Sequence, residues 1–230
     1  MIRYKKEKLE RLKFKFEGIE EISENFSQAY QDMFVLSMLD GKRNGYYLEI
    51  GAFDGISLSN TYLLEKNFGW DGVSIDIDPS AKFSFDQHQR KGKMIVGDAL
   101  SLEYSSLLAE NNSPKIIDYL QIDIEPQANT LACLKKIPFD QYKFRVITYE
   151  TDYYDPAASR EESHRILMES RDILKSHGYE LVVGNVCNVS TKDPFEDWYV
   201  NPDLIDREIL KIFKDSEFYN NTSESYMFSV

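Results

Sequence analysis

Tyr46-Tyr47-Leu48-Glu49-Ile50-Gly51-Ala52-Phe53-Asp54-Gly55 decides the fold. A β-rich apolar run ends in an acidic residue, and two glycines follow. This is the pattern of a strand that turns sharply at its carboxyl end, where backbone can approach a ligand without a Cβ in the way. A second apolar run, residues 72–77, carries Asp76 at its end, where a carboxylate could accept hydrogen bonds from both hydroxyls of a ribose. Read together, the two runs outline a nucleoside pocket.

Outward from this stretch the chain alternates strands and helices. The apolar patterns predict strands over residues 46–50, 72–77, 93–96, 117–122, 144–149 and 179–186, with helices near 59–67, 80–89, 101–110, 130–136 and 160–177. Such βαβ alternation implies an α/β fold, a mainly parallel sheet with helices on both faces and ligands at the carboxyl ends of the strands. Glu49, Asp76, Asp98, Asp123 and Glu150 fall at the ends of five successive strands. The aromatic run 195–200 is expected to pair antiparallel with its predecessor, and residues 203–214 to form one more helix.

The domain organisation expected is a basic helical arm over residues 1–26, a catalytic domain over 27–202, and a C-terminal helix and tail over 203–230, polar and frayed from Asp215. The arm, lying outside the alternation, is expected to be dispensable for cofactor binding. A helix over 33–39, closed by Gly41 and Gly45, leads into the first strand.

Composition sets limits on function. With 230 residues and 42% hydrophobic content the chain can bury a substantial core. A net charge of −12 and a pI near 4.8 argue against nucleic acid, because phosphate contacts need clustered Lys and Arg. Cys133 and Cys187 lack metal-ligand spacing and are too few for a disulfide framework, so the expected compartment is the cytoplasm. No stretch approaches the length of a membrane span, and no signal peptide is apparent. Assembly into a homo-oligomer is left open.

The pocket could hold a dinucleotide or S-adenosylmethionine. A dinucleotide loop wants Gly-x-Gly-x-x-Gly, but Phe53 occupies the second glycine position and Asp54 would place a carboxylate against a diphosphate. A sulfonium cofactor with an ammonium group suits nearby carboxylates. Asp98 and Ala99, ending the third strand, could meet the adenine. S-adenosylmethionine is therefore the cofactor expected.

Several motifs carry a family resemblance. Ser27-Gln28-x-x-Gln31-Asp32-x-Phe34-Val35-Leu36, Tyr47 to Gly55, Ser59-Asn60-Thr61-x-x-Leu64-Glu65, Gly69-Trp70-x-Gly72, Ile122-Asp123-Ile124-Glu125 and Glu196-Asp197-Trp198-Tyr199-Val200 resemble the FkbM family of class I methyltransferases, in order, over roughly residues 27–200. The resemblance implies a Rossmann-like seven-stranded sheet with a last antiparallel strand, S-adenosylmethionine as donor, and O-methylation, often of sugar hydroxyls. It places Glu49, Gly51, Asp54 and Gly55 at the methionine end, Ser59 and Asn60 at its carboxylate or ammonium, Asp76 at the ribose and Asp98 at the adenine. The chain departs from the family at Glu125-Pro126-Gln127, where Glu-Gly is common.

A sugar hydroxyl is a poor nucleophile until its proton leaves, so the acceptor site needs a general base or a metal ion. Asp123, Glu150 and Asp152 are the candidates, as acceptor-activating residues or as ligands of Mg²⁺ or Mn²⁺, with His164 as a fourth catalytic candidate. The slight preference is for the metal, since three close carboxylates repel one another. Tyr149, Tyr153 and Tyr154 offer ring faces for a sugar, and Asp155 adds a further carboxylate. The function expected is O-methylation of a small-molecule or glycan acceptor. The alternatives are an NAD(P)-linked oxidoreductase on the same fold and a non-catalytic nucleotide-binding protein.

Overall fold

The computed structural model describes residues 6–153, 159–187, 192–214 and 222–229. Seven strands form one sheet: β1 (Tyr46–Ile50), β2 (Asp71–Asp76), β3 (Lys93–Val96), β4 (Ile116–Ile122), β5 (Lys143–Glu150), β6 (Glu180–Cys187) and β7 (Pro194–Val200). Their order is β3-β2-β1-β4-β5-β7-β6. The first five pair in parallel, and β7 lies antiparallel between β5 and β6. This is the Rossmann-like α/β sheet with a last antiparallel strand that the sequence implies.

The helices are α1 (Gln31–Met38), α2 (Tyr62–Phe68), α3 (Pro79–Gln87), α4 (Tyr104–Glu110), α5 (Gln127–Leu134), α6 (Arg160–Ser176), α7 (Arg207–Lys214) and α8 (Ser223–Met227). The helix expected from Ser59 begins instead at Tyr62, because Ser59 Oγ accepts from the amides of Thr61 and Tyr62 ahead of the first turn. No helix of the described residues is long and apolar enough to cross a membrane.

Period-two alternation gives each face of the sheet its own core. Leu48, Ile50, Ile75, Leu120, Ile122, Ile147 and Tyr199 pack on the side of α4, α5 and α6. Tyr47, Tyr119, Val146, Trp198 and Val200 pack on the other, against α1, α2 and α7. The second face also takes Leu12, Phe16, Ile19 and Ile22, all buried, together with Tyr226, Met227 and Phe228. The segment expected as a helical arm is thus two short 3-10 turns, Lys6–Arg11 and Ile19–Glu21, whose apolar residues belong to the main core. It also joins the chain's far end: Lys13 N donates to Met227 O at 2.9 Å, and Leu12 bridges Phe228. Residues 1–5 of the arm and 215–221 and 230 of the tail lie outside the described residues.

Candidate functional site

A cavity of about 410 Å³ opens at the carboxyl ends of β1 to β4. Alternation explains its chemistry. Glu49 on β1 pairs in register with Gln121 on β4, and Glu150 on β5 with Glu196 on β7. Glu49, Gln121 and Glu196 each flank a core residue of the α1 face at two-residue spacing (Tyr47, Tyr119, Trp198), and Glu150 lies opposite Glu196, so these polar groups share one side of the sheet.

Of the residues singled out from the sequence, Glu49, Gly51, Ser59, Asn60, Asp76, Asp98, Ala99 and Asp123 line this cavity. Glu49 is buried, with Oε1 accepting from Thr61 Oγ1 at 2.9 Å and Oε2 from Ser74 Oγ at 2.6 Å. Burial pushes its carboxyl up to about 7, against the opposing pull of Arg90 and the two hydroxyls. Asp76 accepts from Phe53 N at 2.7 Å and Asp78 N at 2.9 Å, which aims the carboxylate while each oxygen keeps a lone pair free for a ligand hydroxyl. Asp98 accepts from Ser101 Oγ and Leu100 N, and the hydrogen bond from Ser101 holds it below the usual carboxylate range. Asn60 is 5% exposed and its Oδ1 has no hydrogen-bond partner, so the cavity wall presents an unsatisfied acceptor where a ligand donor would fit.

Asp54 and Gly55 shape the loop without lining the cavity. Asp54 Oδ1 accepts from Ile56 N at 2.8 Å and Ser57 N at 2.6 Å, an Asx turn closed on itself. A Cβ at Gly55 would meet the Phe85 ring at 2.0 Å. Gly51 has φ +89°, and a Cβ there would lie 1.7 Å from Asp123 O, so the glycine admits the neighbouring chain segment.

At the acceptor end Asp123, two residues past Gln121, follows β4 beside Glu150 at the end of β5. Burial pushes the Asp123 carboxyl up, and burial and the charges of Asp123, Asp152 and Glu196 push Glu150 well up. Asp152, with φ +43°, is buried behind this wall. Among the described residues no group of three or more His, Cys, Asp or Glu is arranged to hold a metal ion, so the Mg²⁺ or Mn²⁺ site expected on Asp123, Glu150 and Asp152 is not supported. His164 is exposed on α6, its ring 6.2 Å from that of Tyr153, and does not line the cavity. Tyr149 is buried in the core of the opposite face, which removes its ring from any sugar. Tyr154 and Asp155 lie outside the described residues.

Sequence reasoning gave no site role to four residues. Gln31 lines the cavity and donates to Glu196 Oε2 at 3.0 Å, which also accepts from Trp198 Nε1 at 2.6 Å. Burial raises Glu196 to about 8. Gln121 is 2% exposed, lines the cavity and has an unpartnered Oε1. Arg90, from the turn after α3, donates to Thr61 Oγ1 at 2.8 Å and so supports Glu49 at one remove. For Gln121 the strand period, counted across β1 and β4, was the available signal. For Arg90 there was none.

The chain resembles solved structures in fold. An O-methyltransferase of Bacillus cereus in complex with SAH superposes with a TM-score of 0.53 and 17% identity, over 74% of this chain and 80% of that one. A candidate rRNA methylase of Clostridium thermocellum gives a TM-score of 0.52 and 10% identity, over 74% and 92%. No family model matches the sequence, and no curated protein matches it. At these identities the likeness establishes the fold, that of class I S-adenosylmethionine-dependent methyltransferases.

Proposed function

We propose that the protein is an S-adenosylmethionine-dependent O-methyltransferase acting on a hydroxyl, of a sugar or sugar-bearing small molecule. The observation that carries this reading is the cavity itself. Asp76 stands pinned by two backbone amides, Asn60 Oδ1 is unsatisfied, and Glu49 is buried at the strand end, all in one wall. Asp76 would hold the ribose hydroxyls, Asn60 and Glu49 the ammonium, and Asp98, Ala99 and Leu100 the adenine edge, with exposed Ile77 offering an apolar face. When bound, S-adenosylmethionine supplies a methyl group made electrophilic by its sulfonium.

The chain's own part is to position and deprotonate the acceptor. Asp123 lies at the wall beside Glu150 and would take the hydroxyl proton. Gln28, Gln31 and Asn129 line the same cavity with amides suited to hydroxyl recognition. The test uses methyl-labelled donor with a panel of sugars, nucleotide sugars and glycolipids. Label in a stable methyl ether, together with thermal protection by SAH and none by NAD(P), is the expected result. Protection by NAD(P) alone would overturn the reading.

A further inference from the structure

Both unpartnered buried side-chain atoms of the cavity wall, Asn60 Oδ1 and Gln121 Oε1, are acceptors. Each needs a donor from the ligand. With Asn60 and Glu49 assigned to the cofactor's ammonium, Gln121 Oε1 is left for the acceptor. Around Gln121 the carboxyls crowd: Asp123 lies two residues on in the same cavity wall, beside Glu150 at the end of β5, and Glu196 faces Glu150 across β5 and β7. Among the described residues that line the cavity there is no Lys, Arg or His. An anionic acceptor is repelled by this wall. A neutral hydroxyl satisfies Gln121 alone, whereas an ammonium satisfies Gln121 and pairs with Asp123 as well.

We propose that the acceptor is a hydroxyl compound carrying an ammonium group beside the hydroxyl it presents, an amino sugar or amino alcohol, with Gln121 Oε1 and Asp123 holding the cation. This rests on the methyl-transfer reading above.

The experiment is calorimetry on the full chain saturated with SAH, so that the cofactor's ammonium is already in place. The probes are glucosamine and ethanolamine, each against its N-acetyl counterpart, and glucose 6-phosphate. Both amines are expected to bind at least about tenfold more tightly than their acetylated forms, and the phosphate most weakly. Gln121→Leu is expected to cut the preference to within about threefold, and Gln121→Glu to restore it. SAH titration of each variant confirms a folded pocket. Failure of SAH to bind the wild-type chain overturns the methyl-transfer reading. SAH binding with equal affinity for amine and amide, or with no amine bound, overturns the ammonium proposal alone.

Discussion

Arg90 donates to both carboxylate oxygens of Glu65, from Nε and from Nη2, each at 2.9 Å, and the two side chains are 1% and 5% exposed. Glu65 further accepts from the hydroxyl of Tyr47 and from the amides of Lys91 and Gly92. Arg90 also bonds Gly55 O and Thr61 Oγ1, so a single guanidinium ties the loop after β1, the start of α2 and, through Thr61, Glu49. Removing one charge of a buried pair strands the other. Arg90→Met is expected to lower stability by about 3–5 kcal/mol, and Arg90→Met with Glu65→Leu to recover much of it. Urea unfolding measures both, and an unchanged midpoint in the single variant would refute the assignment.

Asp76→Ala removes two charge-assisted bonds to the ribose and is expected to weaken SAH binding by about 1.5–3 kcal/mol per bond lost. Asp98→Ala should cost less, because its carboxylate is already engaged by Ser101 and Leu100 and adenine also gains from apolar contact. Calorimetry that reverses this order would misplace the ribose.

Asp123→Asn and Glu150→Gln are each expected to lower kcat by roughly 10² to 10⁴ with SAH affinity retained, since both act on the proton of the acceptor. His164→Gln should leave turnover at the wild-type level, and a chelator should do the same. Restoration of activity by Mg²⁺ after chelation would reinstate a metal site.

Burial raises Glu49 to about 7 and Glu196 to about 8 from an ordinary 4.5. The folded state therefore binds these protons more tightly than the unfolded chain. The stability they contribute is full below the unfolded value and is lost as pH rises through 7 and 8. The urea midpoint should fall over that window, and Glu196→Gln should flatten its upper part. SAH affinity should run the other way, weakening as pH drops below about 7 because the ammonium prefers ionised Glu49, and Glu49→Gln should abolish the slope.

Truncation of residues 1–22 removes Leu12, Phe16, Ile19 and Ile22 from the core and exposes the surfaces they cover. Loss of four buried side chains, each contributing about 2–5 kcal/mol, exceeds the stability of an ordinary domain. The truncated chain should show no cooperative melt; a folded one that still binds SAH would restore the view of a dispensable arm.

Much of the sheet was legible because its strands are short apolar runs closed by acids. β1 and β3 fall on residues 46–50 and 93–96, as the pattern predicts. The cavity-lining acids Glu49, Asp76, Asp98 and Asp123 were legible for the same reason. The N-terminal segment was not, since Lys13, Lys15 and Glu17 among Leu12, Phe16 and Ile19 read as a solvated helix when local charge is weighed without the distant residues 226–228 that complete the core. Gln121 and Gln31 were hidden by ordinariness: one becomes conspicuous only when strand register sets it opposite Glu49, the other only when the start of α1 brings it to Glu196. Arg90 looks like any exposed helix-end arginine, and its partner Glu65 lies a full strand away.

The hydrogen bond from Trp198 Nε1 to Glu196 turns an indole into an optical sensor of the acidic wall. The chain has two tryptophans, and the other, Trp70, is fixed to Lys42 O at 2.7 Å, against Gly45 and outside the cavity lining. In a Trp70→Phe background the emission of Trp198 would shift as Glu196 gains or loses its proton. Occupancy of the acceptor end could then be followed by stopped flow, in unlabelled protein, before any product is known.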